Sequence, residues 1–369
     1  MGHLALYRQF RPVSFDEVIG QEAIVNTLKN QVMTKEIGHA YLFTGSRGTG
    51  KTSCAKIFAK AINCLAPVNG SPCQKCENCK AIDGLSMDVV EMDAASNNSV
   101  EDIRDIVNNL KFLPTNGKYK VYIIDEVHML SINAFNALLK SIEEPPSHVV
   151  FILATTEVHK IPKTILSRVI RFDFKLVSVE ELARLLKKVF DATGIKADDE
   201  AIISIARSGE GSVRDTLSIA EGVSAYAYKD ITYLDVQNSL GISDTDSLVQ
   251  LTEYIHQGDL GKLFSLTNNL YTSGKNMAIL AKDMTIHFRN LLVINSTDDA
   301  NQILHLPQED FARLKSQAEK IDSAHLLFYL KKFSDIEADL RYSISPRMLI
   351  EMTALDCVRE FDSKLKVSP

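Results

Sequence analysis

Short apolar runs punctuate the first half of the chain. His39–Thr44, Asp88–Met92, Val121–Ile124, Val149–Ala154 and Val169–Phe172 are near-continuous and rich in β-forming residues. That pattern predicts strands buried on both faces, hence a five-stranded parallel sheet covered by helices. Lys51–Asn63, Val100–Leu110 and Ile132–Glu143 read as the intervening helices, the last stopped by Pro145-Pro146. Residues 1–178 are therefore expected to form a three-layer α/β domain. At Ser178 the period changes. Ser178 and Glu181 form an S-x-x-E capping box, and Leu182, Leu185, Leu186 and Val189 follow at helical spacing. Two further helices are expected around the Ser208–Ser212 loop, making 179–242 a small helical domain. Gly241 to Asp246 reads as a linker. Residues 243–369 lack strand alternation, and Leu326, Leu327, Leu330 and Phe333 mark an amphipathic helix, so this block is expected to be all-helical.

Composition adds limits. The 369 residues are 45% hydrophobic and 24% charged, which excludes disordered and fibrous classes. No apolar run approaches the ~20 residues needed to span a bilayer, and no signal-peptide pattern opens the chain, so a cytoplasmic protein without membrane contact is expected. The net charge of −6 argues against nucleic-acid binding by the chain as a whole. Residues 1–178 nevertheless carry 20 basic against 18 acidic residues, net +2, and the acidity lies in the two helical blocks.

Four of six cysteines, Cys64, Cys73, Cys76 and Cys79, fall within 16 residues as C-x8-C-x2-C-x2-C. A long chain without a secretory signal is a poor disulfide framework. Four thiolates suit a closed tetrahedral zinc site, structural because no position remains for substrate. An iron–sulfur cluster is the alternative; its common bacterial pattern ends in Cys-Pro and has no ligand eight residues upstream. Cys54 and Cys357 lie in apolar helical contexts and read as core residues.

Residues Gly45-Ser46-Arg47-Gly48-Thr49-Gly50-Lys51-Thr52 match G-x-x-x-x-G-K-[ST] between an expected strand and an expected helix. The backbone N–H groups of such a loop wrap phosphates, aided by the helix N-terminus. Lys51 is expected to reach the β- and γ-phosphates, and Thr52 to bind Mg²⁺. The Val121–Ile124 strand delivers Asp125-Glu126. Asp125 would hold Mg²⁺ and Glu126 would polarise the attacking water, which favours ATP hydrolysis over simple binding. Thr155-Thr156, Ser167-Arg168 and Gly211-Ser212-Val213-Arg214 are ambiguous alone: a turn or a phosphate sensor, surface arginines or phosphate ligands.

Several motifs agree in order and spacing across about residues 4–225. They are Tyr7-Arg8-Gln9-Phe10-Arg11-Pro12, Val18-Ile19-Gly20-Gln21, the P-loop, the four-cysteine insert, Asp125 through Leu130, Phe135 through Lys140, Glu143-Glu144-Pro145-Pro146, Thr155-Thr156, Ile165-Leu166-Ser167-Arg168 and Gly211 through Asp215. With them the chain resembles the AAA+ ATPases, and within these the gamma/tau family of bacterial DNA polymerase III clamp-loader subunits. The resemblance implies a P-loop domain with a zinc-binding insert at about 64–79, a helical lid at 179–242 and a C-terminal oligomerisation collar at 243–369. It implies a pentameric ATPase, with delta- and delta-prime-type subunits, that opens a sliding clamp and closes it on primer-template DNA, and that meets single-stranded DNA-binding protein through accessory subunits. Thr155 resembles the sensor-1 residue, Arg214 the sensor-2 arginine and Arg168 the arginine finger that acts on a neighbouring subunit's ATP. Tyr7, Arg11, Pro12, Val18 and Ile19 match the adenine-covering segment, and Gly45 through Ser53 the phosphate cradle.

The sequence departs from the family at two places. Val169 stands where the family usually has Cys, and Asn97-Asn98-Ser99 is neutral where relatives often carry basic DNA-contacting residues. The chain also ends at 369 without the tau-type extension, so either a gamma-like form or a truncated tau is expected. Rival readings are another AAA+ motor, such as a branch-migration helicase or replication initiator, and a scaffold with structural ATP. The cysteine insert and the L-L-K-x-x-E-E-P-P run weigh against the first. The presence of Glu126, Arg168 and Arg214 together weighs against the second.

Overall fold

The computed structural model describes residues 4–84, 86–228, 230–304, 306–340, 343 and 345–365. The chain divides into two compact units, residues 1–225 and 226–369. In the first, a short α1 (Leu6–Gln9) and α2 (Glu22–Thr34) precede β1 (Ala40–Thr44), which runs through the P-loop into α3 (Lys51–Asn63). There follow α4 (Glu77–Asp83), β2 (Val89–Asp93), α5 (Val100–Asn109), β3 (Lys120–Asp125), α6 (Ile132–Glu143), β4 (Val149–Thr155), α7 (Lys163–Leu166) and β5 (Ile170–Asp173). The five strands form one parallel sheet in the order β2-β3-β4-β1-β5. Each expected strand is present, within one residue at either end.

Strand side chains alternate, so the sheet feeds two cores. Tyr41, Phe43, Val121, Ile123, Val150 and Ile152 pack with Cys54, Ile57 and Phe58 of α3. Ala40, Leu42, Tyr122, Ile124, Phe151 and Leu153 pack with Ile103 of α5 and Phe135 and Leu138 of α6. Burial on both faces explains why the strands read as continuous apolar runs. Helix starts are fixed locally: Ser99 and Asp102 form a reciprocal capping box on α5, and Ser131 accepts the Ala134 N–H at the start of α6.

The same unit continues into α8 (Val179–Thr193), α9 (Asp199–Ser208) and α10 (Val213–Ala227). The expected Ser178–Glu181 capping box is formed, and Leu182, Leu186 and Val189 are buried.

The second unit is helical: α11 (Tyr233–Leu240), α12 (Thr245–Gln257), α13 (Leu260–Thr272), α14 (Met277–Ser296), α15 (Ala300–Leu304), α16 (Gln308–Ala318), α17 (Ser323–Asp335), α18 (Glu337–Leu340) and α19 (Pro346–Leu365). Leu251, Leu263, Leu280, Phe288, Leu314 and Phe333 share its core with Cys357. On α17 the face differs from expectation: Leu326, Tyr329 and Phe333 are buried while Leu327 is 45% exposed. An i, i+3, i+7 stripe centred on Tyr329 suffices to seal this helix, and Leu327 lies outside it. His287 is buried beside Phe288, with Nε2 2.7 Å from Gln317 Oε1, and burial pushes its pKa down to about 4.

Candidate active site and metal centre

In a parallel sheet of this kind the carboxyl ends of the strands border the ligand crevice. β1 ends in the P-loop, β3 in Asp125-Glu126 and β4 in Thr155-Thr156, with Thr44 level with Thr155 in the ladder. The cleft above them measures 620 Å³. Its floor is Arg47 through Ser53 with Asp125 and Glu126; its walls are Tyr7, Arg11, Pro12, Val18 and Ile19 on one side and Leu185, Val213, Arg214 and Leu217 on the other.

Lys51 is the first residue of α3 and is buried; its Nζ donates to the Gly45 and Ser46 carbonyls at 2.8 and 2.7 Å. Burial holds the ammonium below its ordinary pKa, while Glu126 and Asp125 pull it back up. Thr52 Oγ1 donates to Asp125 Oδ2 at 2.6 Å, so the two expected magnesium ligands converge on one point. Glu126 takes a left-handed conformation (φ 47°), uncommon for a non-glycine residue, and its N–H donates to Asp125 Oδ1 at 3.0 Å. That turn sets two consecutive acids on the cleft floor from a single strand end.

The start of α10 is docked on the P-loop by backbone. Val213 N–H donates to the Gly48 carbonyl at 3.0 Å, and Gly48 is itself left-handed (φ 76°). A Cβ at Gly48 would stand 1.9 Å from Ser212 Oγ, which is closer than any side chain could tolerate. The Arg214 guanidinium lies over the Tyr7 ring, 5.1 Å from its centroid, joining the lid to the N-terminal wall. Arg11 Nε donates to Ser53 Oγ at 3.0 Å, tying that wall to α3.

Four expected positions lie apart from the cleft lining. Gly45 and Ser46 face it only through the carbonyls that hold Lys51. Thr155 is fully buried: its Oγ1 accepts the Glu157 N–H and lies 3.0 Å from His128 Nδ1. It is the neighbouring Thr156 whose hydroxyl donates to Glu126 Oε2, at 3.2 Å. Arg168 sits beyond α7, its guanidinium 2.7 Å from Glu143 Oε1 and bonded to the Thr164 carbonyl and Ser167 Oγ. The contacts of His128 and the Gly48–Ser212 approach were not expected from sequence; His128 falls in the Asp125–Leu130 stretch that carries the resemblance, but no role was expected for it.

The sulfurs of Cys64, Cys73, Cys76 and Cys79 lie within 4.8 Å of one another, with Cys64–Cys76 and Cys73–Cys79 at 3.9 Å. A tetrahedron with metal–sulfur bonds near ~2.3 Å has edges of about 3.8 Å, so these thiols fit one tetrahedral ion. The Lys75 and Cys76 N–H groups bring the Cys73 thiol down to about 6, whereas burial raises Cys64 and Cys79.

Profiles for three families match successive segments: "DNA polymerase III, delta subunit" over 20–178, "DNA polymerase III clamp loader subunit, ATPase lid domain" over 181–227, and "DNA polymerase III subunits gamma and tau domain III" over 231–364. DNA polymerase III subunit tau of Bacillus subtilis is 42% identical over 96% of this chain, and its Escherichia coli counterpart 36% identical over 96%. The chain spans 63% and 55% of those two proteins. DNA polymerase III subunit gamma of Buchnera aphidicola is 36% identical over 98% of this chain and 99% of its own. Among solved structures, a Thermotoga maritima RuvB variant superposes with a TM-score of 0.50 at 21% identity, covering 69% of this chain and 84% of that one, a likeness of fold.

Proposed function

We propose that this chain, which belongs to the gamma/tau family of DNA polymerase III subunits, hydrolyses ATP as a motor subunit of a clamp loader during DNA replication. The observation that carries the reading is the meeting of Lys51, the Thr52–Asp125 pair and Glu126 in a cleft that the lid closes through Arg214 and Val213. The P-loop amides and Lys51 bind the triphosphate. Tyr7, Arg11, Pro12, Val18 and Ile19 cover the adenine. Glu126 orients and polarises the attacking water. Thr52 and Asp125 would hold Mg²⁺, which when bound offsets charge on the phosphoryl oxygens.

Thr155 and Arg214 are assigned sensor roles, Arg214 from the lid. Arg168 is assigned to the ATP of the next protomer. Its position outside the chain's own cleft supports that assignment, because a finger acting in trans has to project from a different face. Zinc is the ion assigned to Cys64, Cys73, Cys76 and Cys79, the 3.9 Å sulfur pairs supporting a single tetrahedral centre. A division into an ATPase domain (1–178), a lid (179–242) and a collar (243–369) belongs to this reading; the profile matches support a junction near 178, whereas the lid and domain III matches meet at 227 and 231 and the two compact units divide at 225/226.

The partners that follow are delta- and delta-prime-type subunits, the sliding clamp, primer-template DNA and, through accessory subunits, single-stranded DNA-binding protein, all in the cytoplasm. Among the described residues no helix is long and apolar enough to cross a membrane. The reading is tested by steady-state ATP hydrolysis of the reconstituted complex with and without clamp and primed DNA. Stimulation by both, abolished by Lys51→Ala, is expected. A complex that assembles yet turns over no ATP sinks the proposal.

A further inference from the structure

We infer that His128 and Thr156 are positioning residues for Glu126, gripping one oxygen of its carboxylate so that the other is left for water. The inference rests on the ATPase reading above. Among the described residues, the hydrogen bond and the ion pair that reach this carboxylate both fall on Oε2: Thr156 Oγ1 donates to it at 3.2 Å, and His128 Nδ1 lies 3.4 Å away. Oε1 takes neither, and Glu126 lines the cleft.

The grip is itself held. The His128 side chain is only 7% exposed, and its ring bridges two carboxylates, with Nδ1 toward Glu126 and Nε2 3.6 Å from Glu157 Oε1. Thr155 Oγ1, 3.0 Å from Nδ1, fixes the ring from the end of β4 and accepts the Glu157 N–H at 3.0 Å. Glu157 is anchored in turn by Lys160 at 2.6 Å, with His159 3.6 Å away. With its proton on Nδ1 the imidazole presents a donor toward Oε2, while Nε2 faces the second carboxylate. Glu126 follows a left-handed turn and has several rotatable bonds. Without lateral donors it would sample rotamers that leave the water unaligned, and misplacement by about 1 Å can cost about 10²-fold in rate.

Adjacent residues of one strand end thereby divide the work: Thr155 points to the histidine and Thr156 to the glutamate. Neither His128 nor Thr156 is among the residues that line the cleft, so both are expected to act on the rate and not on binding.

The test compares Thr156→Val, Thr156→Ser, His128→Leu and His128→Asn in the reconstituted complex, reading kcat and KM for ATP alongside the affinity of a fluorescent ATP analogue. Thr156→Val and His128→Leu are expected to lower kcat about 10- to 100-fold with KM and analogue affinity within about twofold. Thr156→Ser and His128→Asn keep a donor and are expected to recover most of the rate. In a Glu126→Gln background, Thr156→Val is expected to cost nothing further, because the group it positions is gone. Unchanged kcat in Thr156→Val and His128→Leu overturns the inference. So do parallel losses of kcat and analogue affinity without rescue, or full additivity with Glu126→Gln. A parent complex with no ATP turnover defeats the ATPase reading instead, and is told apart by that.

Discussion

The contact between Gly48 and Ser212 allows the coupling of lid and P-loop to be measured. Gly48→Ala would place a methyl 1.9 Å from Ser212 Oγ and 3.0 Å from its Cβ, on a backbone already at φ 76°. The left-handed conformation alone costs a non-glycine residue roughly 1–2 kcal/mol. Displacing Ser212 also breaks the 3.0 Å bond from Val213 N–H to the Gly48 carbonyl, a further loss of about 1 kcal/mol. The lid must then dock about 2–3 kcal/mol less favourably, equivalent to roughly 30- to 150-fold in any equilibrium that requires it. Binding of a fluorescent ATP analogue reads that equilibrium.

Gly48→Ala by itself cannot separate lid displacement from a methyl obstructing phosphate, so Ser212→Gly is combined with it. Removing the Ser212 side chain removes the collision and leaves the backbone strain. The double variant is therefore expected to regain about 1 kcal/mol, roughly a third to a half of the lost free energy. Equal impairment of the single and double variants would refute the coupling and leave obstruction of the phosphate as the cause.

Arg168→Ala is expected to retain analogue binding while losing clamp- and DNA-stimulated hydrolysis, by up to the ~10³–10⁵-fold that trans-acting arginines supply elsewhere; normal turnover in the assembled complex would dismiss the finger. Elemental analysis of the purified protein should give about one zinc per chain, lost in Cys76→Ser, and iron in its place would reverse the metal assignment. Burial would raise the Asp88 carboxyl, but the N–H groups of Thr115, Asn116 and Gly117 at 2.6, 2.7 and 2.7 Å outweigh it and hold the pKa below 3.8. Its stabilisation is therefore complete above pH 3.8 and lost as the pH falls through the lower folded value. Asp88→Ala should cost about 3 kcal/mol near neutrality by orphaning those donors and should flatten the acid limb of the melting-temperature profile.

The parts of the molecule legible in the sequence are those set by local period and local geometry. The five strands, the helix after the P-loop and the Ser178 capping box each follow from residues within a few positions of one another. The thiolate cluster was legible because its ligands share one 16-residue stretch. What was not legible is contact at long range. Gly48 meets Ser212, and Glu126 meets Thr156, through a fold that no periodicity encodes. The Thr155-Thr156 pair illustrates the limit: alternation on a strand guarantees that the two hydroxyls point apart, but not which partner each meets. His128 settles that by occupying Thr155. Tyr329, likewise, takes the core position on α17 that the leucine pattern gave to Leu327, because burial follows the neighbouring helices and not hydropathy alone.

The thiolate insert is joined to the nucleotide cleft at both ends, and this follows from where α3 begins and stops. Its first residue is Lys51 and its C-cap is Cys64. Asn63, one residue earlier, accepts the Tyr119 N–H, donates to the Tyr119 carbonyl and receives the Asn78 amide on its own carbonyl at 2.8 Å. Lys60, a buried ammonium that would be costly alone, is paired with Asp83 and donates to Gln74 Oε1 at 3.0 Å. Gln74, between two of the cysteines, donates its own amide to the Val13 carbonyl, and Val13 follows the Arg11-Pro12 wall. Arg11 then returns to α3 through Ser53. P-loop helix, thiolate cage and cleft wall thus form a closed circuit of hydrogen bonds. The cage is tied to the residues around the cleft by two routes, through Lys60 of α3 and through Gln74 and Val13.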